Sequence, residues 1–328
     1  MKSKIKFATT LLLAMSISLF FSCKQKAAEP FKLGLVTWVG FGPFYVAQEM
    51  GFFSDLNVDI QRIEQVGALR AALASGALDG IVHTIDSWAN AAAEGLDAVC
   101  VLKVDESYGG DGLAVRKEYS SIKDLKGKTV AFPRGLPSHF FLLQLLKENG
   151  LQPSDIKEQH MEAPDAAAAF IANKVDAAVT WEPFLTEAGN VEHGKVLIRS
   201  NDYPGLIVDN LLINSSTAKN RPKDVERLLK GWFKAIDYVN SNPEEASRIM
   251  EEKFGLETIE IEGMLSGLRF TSLEENIEAF SSDGDIAPIV QTFNDAGYVY
   301  QQTGLIENAV TGAKYFNGTF LMAIQIDQ

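Results

Sequence analysis

Two cysteines in 328 residues allow one disulfide at most, none if Cys23 carries a lipid, and the four histidines (His83, His139, His160, His193) show no metal-ligand spacing. No Gly-x-Ser-x-Gly elbow of the hydrolase type is present. No apolar run reaches the roughly 20 residues that a membrane-spanning helix needs. Basic charge is also short: 30 lysines and arginines stand against 43 acids, a formal net charge of −13. That balance disfavours nucleic acid and anionic lipid surfaces as partners, and no cofactor or metal is expected.

What is present begins with an export segment. Lys2, Lys4 and Lys6 precede an apolar stretch from Phe7 to Phe21 that ends at Ser22-Cys23, with Lys24-Gln25-Lys26 directly after it. A basic start, a short apolar core and a small residue before a polar stretch describe a secretory signal over residues 1–22. Leu19-Phe20-Phe21-Ser22-Cys23 resembles the lipobox of bacterial lipoproteins, with Phe20 standing where leucine is usual. The resemblance implies a lipid on Cys23, a linker over 23–30 and a periplasmic or cell-surface protein held to the membrane by that lipid alone. The other reading is an ordinary cleaved signal. Cleavage removes three lysines and no acid, deepening the net charge to −16. Cys100, inside the apolar run Leu96–Leu102, is expected to be a small buried hydrophobe.

From Phe31 onward, short β-rich runs alternate with helical ones. Phe31–Trp38 reads as a strand, Pro43–Met50 as a helix, Leu56–Ile63 as a strand, Ala68–Ala77 as a helix and Gly80–Ile85 as a strand. The order recurs from Lys128: strand Thr129–Phe132, helix Ser138–Glu148, extended Lys157–Glu162, helix Asp165–Asn173, strand Val175–Thr180. Two like α/β units imply two lobes. The breaks in the repeat, near Arg116–Lys123 and Asp202–Ile207, predict two crossings between lobes, giving 31–118 with 207–328 as the first and 119–206 as the second. After a strand at Leu206–Ile213 the tail from Pro222 is mostly helical, with Val225, Leu228, Leu229, Trp232, Phe233, Ile236 and Val239 at helical spacing. It is expected to pack on the first lobe.

Four segments carry a family resemblance: Phe44–Phe53, Asp105–Asp111, Ile122–Lys128 and Val175–Pro183. In this order they resemble the nitrate/sulfonate/taurine type of ABC-transporter periplasmic binding protein, the NMT1/THI5-like group that also includes binders of thiamine-pyrimidine precursors. The resemblance implies a type II periplasmic-binding fold whose lobes close on a small molecule. It further implies a monomer that docks on a membrane permease with its ATPase, and not an enzyme.

Ligands of open α/β sheets bind beyond the carboxyl ends of the strands, beside helix N-termini. That rule nominates Trp38 and Phe41 after the first strand and Asp86 after the third, the last as helix cap, ligand contact or both. Ser138 and His139 lie at the matching exit of the second unit, with Ser138 read as the helix N-cap. Trp181 and Glu182 follow its last strand, with Asp209 in the return strand opposite. Ser107 and Tyr108, in a glycine-rich turn placed between two strands of the first lobe, complete the set. Each has a structural alternative: packing for Trp38, a cap or hinge contact for Glu182, a surface turn for residues 105–111. Among these positions the acids Asp86, Asp105, Glu182 and Asp209 face a single arginine, Arg134. Arginine is the usual partner of a tetrahedral oxyanion, so the acids and tryptophans predict a nitrogen-bearing or zwitterionic ligand (pyrimidine-like, amine or taurine-like). A plain sulfonate or nitrate-type anion and a ligand sensor for a membrane partner stand as alternatives. An enzyme using Ser138 and His139 is disfavoured, because adjacent side chains at a helix start diverge.

Overall fold

The computed structural model describes residues 29–282 and 286–324; the signal segment and Cys23 lie outside them. Two mixed sheets with helices on their faces carry the chain. The first half runs β1 (Phe31–Leu35), α1 (Gly42–Glu49), β2 (Val58–Arg62), α2 (Val66–Ala74), β3 (Gly80–Thr84), α3 (Ile85–Ala93) and β4 (Ala98–Ser107). The second runs β5 (Asp111–Arg116), β6 (Thr129–Phe132), α4 (Pro137–Glu148), β7 (Lys157–His160), α5 (Ala163–Ile171), β8 (Ala177–Trp181), α6 (Phe184–Gly189) and β9 (Gly194–Arg199). The chain then returns through β10 (Val208–Asn214), α7 (Ser215–Asn220), α8 (Pro222–Ser241), α9 (Pro243–Phe254) and α10 (Thr258–Leu265). It continues with β11 (Leu268–Phe270), α11 (Leu273–Phe280), α12 (Pro288–Gln302) and α13 (Thr319–Met322).

The sheet orders show why the repeat was readable. One sheet is β11-β4-β10-β3-β1-β2 and the other, read the same way, β9-β5-β8-β6-β7. In each, three strands joined by helices run parallel, and one antiparallel strand, β10 or β5, is inserted beside the third of them. The inserted strand begins beside the carboxyl end of its parallel neighbour, so Asp209 pairs with Thr84 in the first sheet and Asp111 with Trp181 in the second. Both starts therefore lie where a ligand is expected.

One expected boundary moves. The sequence places Asp111–Arg116 in the first lobe, but it pairs with β8 and β9 of the second sheet. The first crossing is thus Tyr108–Gly110, and the polar turn from Asp105 to Asp111 joins the two sheets instead of two strands of one lobe. A short apolar strand buried on both faces reads alike in either sheet, and only its partners distinguish them. The second crossing runs from the end of β9 at Arg199 to the start of β10 at Val208.

The tail packs on the first sheet. Pro222 opens α8 at a position where the missing N–H costs nothing. Its apolar stripe is buried, with the Trp232 ring 4.4 Å from that of Phe44 on α1. Cys100 is a free thiol inside β4, fully buried. No helix among the described residues is long and apolar enough to cross a membrane.

Candidate functional site

A cavity with about 480 Å³ of empty space, part of it continuous with solvent, opens at the carboxyl ends of the parallel strands of both sheets. Its walls come from both sides of the crossings. The first sheet supplies Val36, Trp38, Val82, His83, Thr84 and Asp209. The second supplies Asp111, Leu136, Pro137 and Trp181, with Phe41, Val66 and Ile207 between strands or at the rim. Of the residues nominated from sequence, Trp38, Phe41, Trp181 and Asp209 stand in this wall.

Trp38 is 5% exposed and its indole Nε1–H donates to Asp105 Oδ2 at 3.3 Å. The backbone at Gly40 runs against this pair so closely that a Cβ there would lie 2.2 Å from Asp105 Oδ2. Asp105 lies across the strand pair from Asp209 and is fully buried beneath the wall. Two carboxyls side by side in a dry setting cannot both ionise cheaply. Burial raises the pKa of both, and the neighbouring negative charge pushes Asp209 well above the ordinary range. Asp111, 3% exposed at the start of β5, is pushed up to about 7, first by burial and then by the charges of Asp105, Asp86 and Glu182. Its Oδ1 has no hydrogen-bond partner among the described residues; nor have Asp105 Oδ1 and Trp181 Nε1. Buried polar atoms are normally paired. Asp111 and Trp181 line the cavity, whereas Asp105 lies beneath it between Trp38 and Asp209, so Asp111 Oδ1 and Trp181 Nε1 are left as a free acceptor and a free donor on wall residues. Sequence reasoning missed Asp111, because it was read as part of a first-lobe turn, and His83, because no ligand spacing singled it out.

Of the other nominated residues, Asp86, Ser107, Glu182 and His139 have structural partners. Asp86 sits in the first turn of α3 but is not the cap, which is Thr84. Its Oδ2 accepts from Tyr300 Oη–H of α12 at 2.6 Å, and burial holds its pKa up. Ser107 Oγ lies 2.8 Å from Ser200 Oγ and accepts from the Asp111 amide at 3.1 Å, tying the two crossings together. Tyr108 is 43% exposed on the first crossing, lining a separate groove that also holds Glu182. Glu182 accepts from Arg199 Nη1 at 2.9 Å and from the Thr186 amide and hydroxyl at 3.0 and 2.8 Å. That places it behind the crossings, not in the cavity.

At the start of α4 the N-cap is Leu136 with Pro137 at the first helical position, so Ser138 is inside the helix and not its cap. A proline placed one residue earlier than the serine takes the helix start. Ser138 Oγ is buried without a partner. His139 is packed between the rings of Phe132 and Tyr300, and its Nδ1 accepts from the Gly135 amide at 3.2 Å. Burial, with Arg134 nearby, lowers its pKa to about 4. Ser138 and His139 share no hydrogen bond, so this nucleophile and base are not paired. Among the described residues no group of three or more His, Cys, Asp or Glu is arranged to hold a metal ion.

The chain and its fold have counterparts among known proteins. The family model described as NMT1/THI5 like matches residues 38–246. A putative ABC transporter periplasmic binding protein of Brachyspira hyodysenteriae is 24% identical over 274 residues, covering 76% of this chain and 78% of that protein. The taurine-binding periplasmic protein of Escherichia coli is 27% identical over 210 residues, 62% of this chain and 64% of that one. In structure, the alkanesulfonate-binding protein of Xanthomonas axonopodis pv. citri, solved with MOPS bound, superposes with a TM-score of 0.73. It covers 89% of this chain and 99% of that one at 20% identity.

Proposed function

The chain belongs to the NMT1/THI5-like family, and from that membership we propose that it is the extracytoplasmic solute-binding component of an ABC importer. Its relatives are named as ABC transporter periplasmic binding proteins and as a taurine binder, which supports periplasmic residence and delivery to a permease with its ATPase. The same reading takes the first sheet with its helical tail as one lobe and the second sheet as the other, closing on a solute between them. It includes a lipid on Cys23 and a monomeric protein. A binding role, not an enzymatic one, is favoured by the relatives' names as binding proteins.

The observation that carries the ligand class is the acid set. Asp111 and Asp209 stand in the cavity wall with Asp105 beneath them, and among the described residues no lysine or arginine lines it. A buried carboxyl with an unfilled acceptor oxygen is costly, and a cationic or N–H-rich group relieves it, which indole rings also favour through cation–π contact. The solute is therefore a small nitrogen-bearing or zwitterionic compound. A second reading, an aliphatic sulfonate, draws on the relatives' names and on the structure solved with MOPS. Calorimetry with taurine, ethylamine, 4-aminopyrimidine and ethanesulfonate separates the two. Binding by nitrogen-bearing probes and none by ethanesulfonate is expected. Tight binding of ethanesulfonate with none of the amine-bearing probes would establish the second reading instead.

A further inference from the structure

One polar group in the cavity wall is explained by neither the acids nor the indoles. His83, near the end of β3, lines the cavity and is 6% exposed. Its Nε2 receives a hydrogen from Arg70 Nε at 2.9 Å. A guanidinium nitrogen donates and never accepts, so Nε2 must present its lone pair and the hydrogen of the neutral ring must sit on Nδ1. Arg70 cannot easily turn away. Its Nη2 donates to the Ser87 carbonyl at 3.1 Å, and Nη1 lies 3.6 Å from Glu94 Oε2. Burial, then the positive charge of Arg70, holds His83 well below its ordinary pKa, so the ring stays neutral. Its Nδ1–H has no hydrogen-bond partner among the described residues. In the same wall, from the second sheet, Trp181 Nε1–H is also unpartnered.

The cavity thus joins neutral donors, His83 and Trp181, to buried acceptors, Asp111 and Asp209. We propose that His83, locked by Arg70 as the Nδ1–H tautomer, is a specificity-determining residue that takes an electronegative acceptor atom of the solute while the acids take its basic nitrogen. The solute class is then narrower than a nitrogen compound: a compact amphoteric molecule bearing both groups. A neutral donor suits this task, because a cationic one would repel the basic nitrogen of the same ligand. The inference on the ligand rests on the nitrogen-bearing reading above; the tautomer does not.

The test has two arms on the full chain. Long-range ¹H–¹⁵N correlation spectra of histidine-labelled protein, with His83 assigned through the His83→Asn variant, report the tautomer directly. A ring with hydrogen on Nδ1 that does not titrate between about pH 5.5 and 8 is expected. A ring protonated on Nε2, or one that titrates near its ordinary pKa, overturns the inference whatever the probes do. In the second arm, taurine and ethylamine are titrated into the wild type, His83→Asn and His83→Leu, each shown folded by thermal denaturation. His83→Leu should weaken taurine about tenfold and leave ethylamine within about twofold, while His83→Asn, whose amide can place a donor near Nδ1, keeps most of the taurine affinity. Unchanged taurine affinity in His83→Leu, or equal loss for both probes, overturns the role. Absence of binding by every nitrogen-bearing probe to the wild type overturns the reading beneath it.

Discussion

At the scale of single residues the site is governed by unpaid desolvation of carboxyls. Asp111 has a folded pKa near 7 against an ordinary value of 3.8, so the native state holds its proton more tightly than the unfolded chain. The stability it contributes is complete below about pH 4 and is lost as pH rises through about 7. Asp111→Asn should therefore raise the thermal midpoint of the unliganded protein at about pH 8, with the gain shrinking as pH falls towards 4. A constant difference across that range, or a loss at pH 8, would show that burial does not hold the proton on Asp111. The residue scale is also where sequence reasoning was least complete. Position at a strand exit was enough to bring Trp38, Trp181 and Asp209 to the wall. Which polar groups remain free depends on distant partners. Tyr300 takes up Asp86 from 214 positions away, Arg199 takes up Glu182, and neither pairing leaves a mark in local spacing.

Among elements, the helical tail does more than cover the first sheet. Tyr300, near the end of α12, bonds Asp86 of α3 and packs its ring on His139 and Phe140 of α4. One side chain thus ties the tail to a helix start on each side of the crossings. Tyr300→Phe keeps the ring packing and removes the donor to a buried carboxyl, a loss of about 1–3 kcal/mol. Urea unfolding should show that decrease with an unchanged slope; a decrease below about 0.5 kcal/mol would mean that the bond contributes little. Element order was legible because apolar periodicity and helix punctuation are local, and so was the face of α8. The first crossing was not. β5 follows β4 after three residues and would serve equally as a hairpin partner within the first sheet. Its apolar burial says only that it is covered on both faces.

For the whole molecule, the matching strand orders of the two sheets set the cavity where it is. Each sheet presents the carboxyl ends of its parallel strands and the start of one antiparallel strand to the same space, which puts Asp209 and Asp111 in one wall from two sides. A solute held by both would tie the halves together, and its affinity should collapse when both acids are neutralised. The most direct measurement is mass-spectrometric identification of the small molecule that co-purifies with the full chain under gentle conditions, compared with the Asp111→Asn, Asp209→Asn double variant. A low-mass compound with a basic nitrogen, retained by the wild type and absent from the folded double variant, is the expected result. A compound without basic nitrogen, or equal retention by both proteins, would contradict the account.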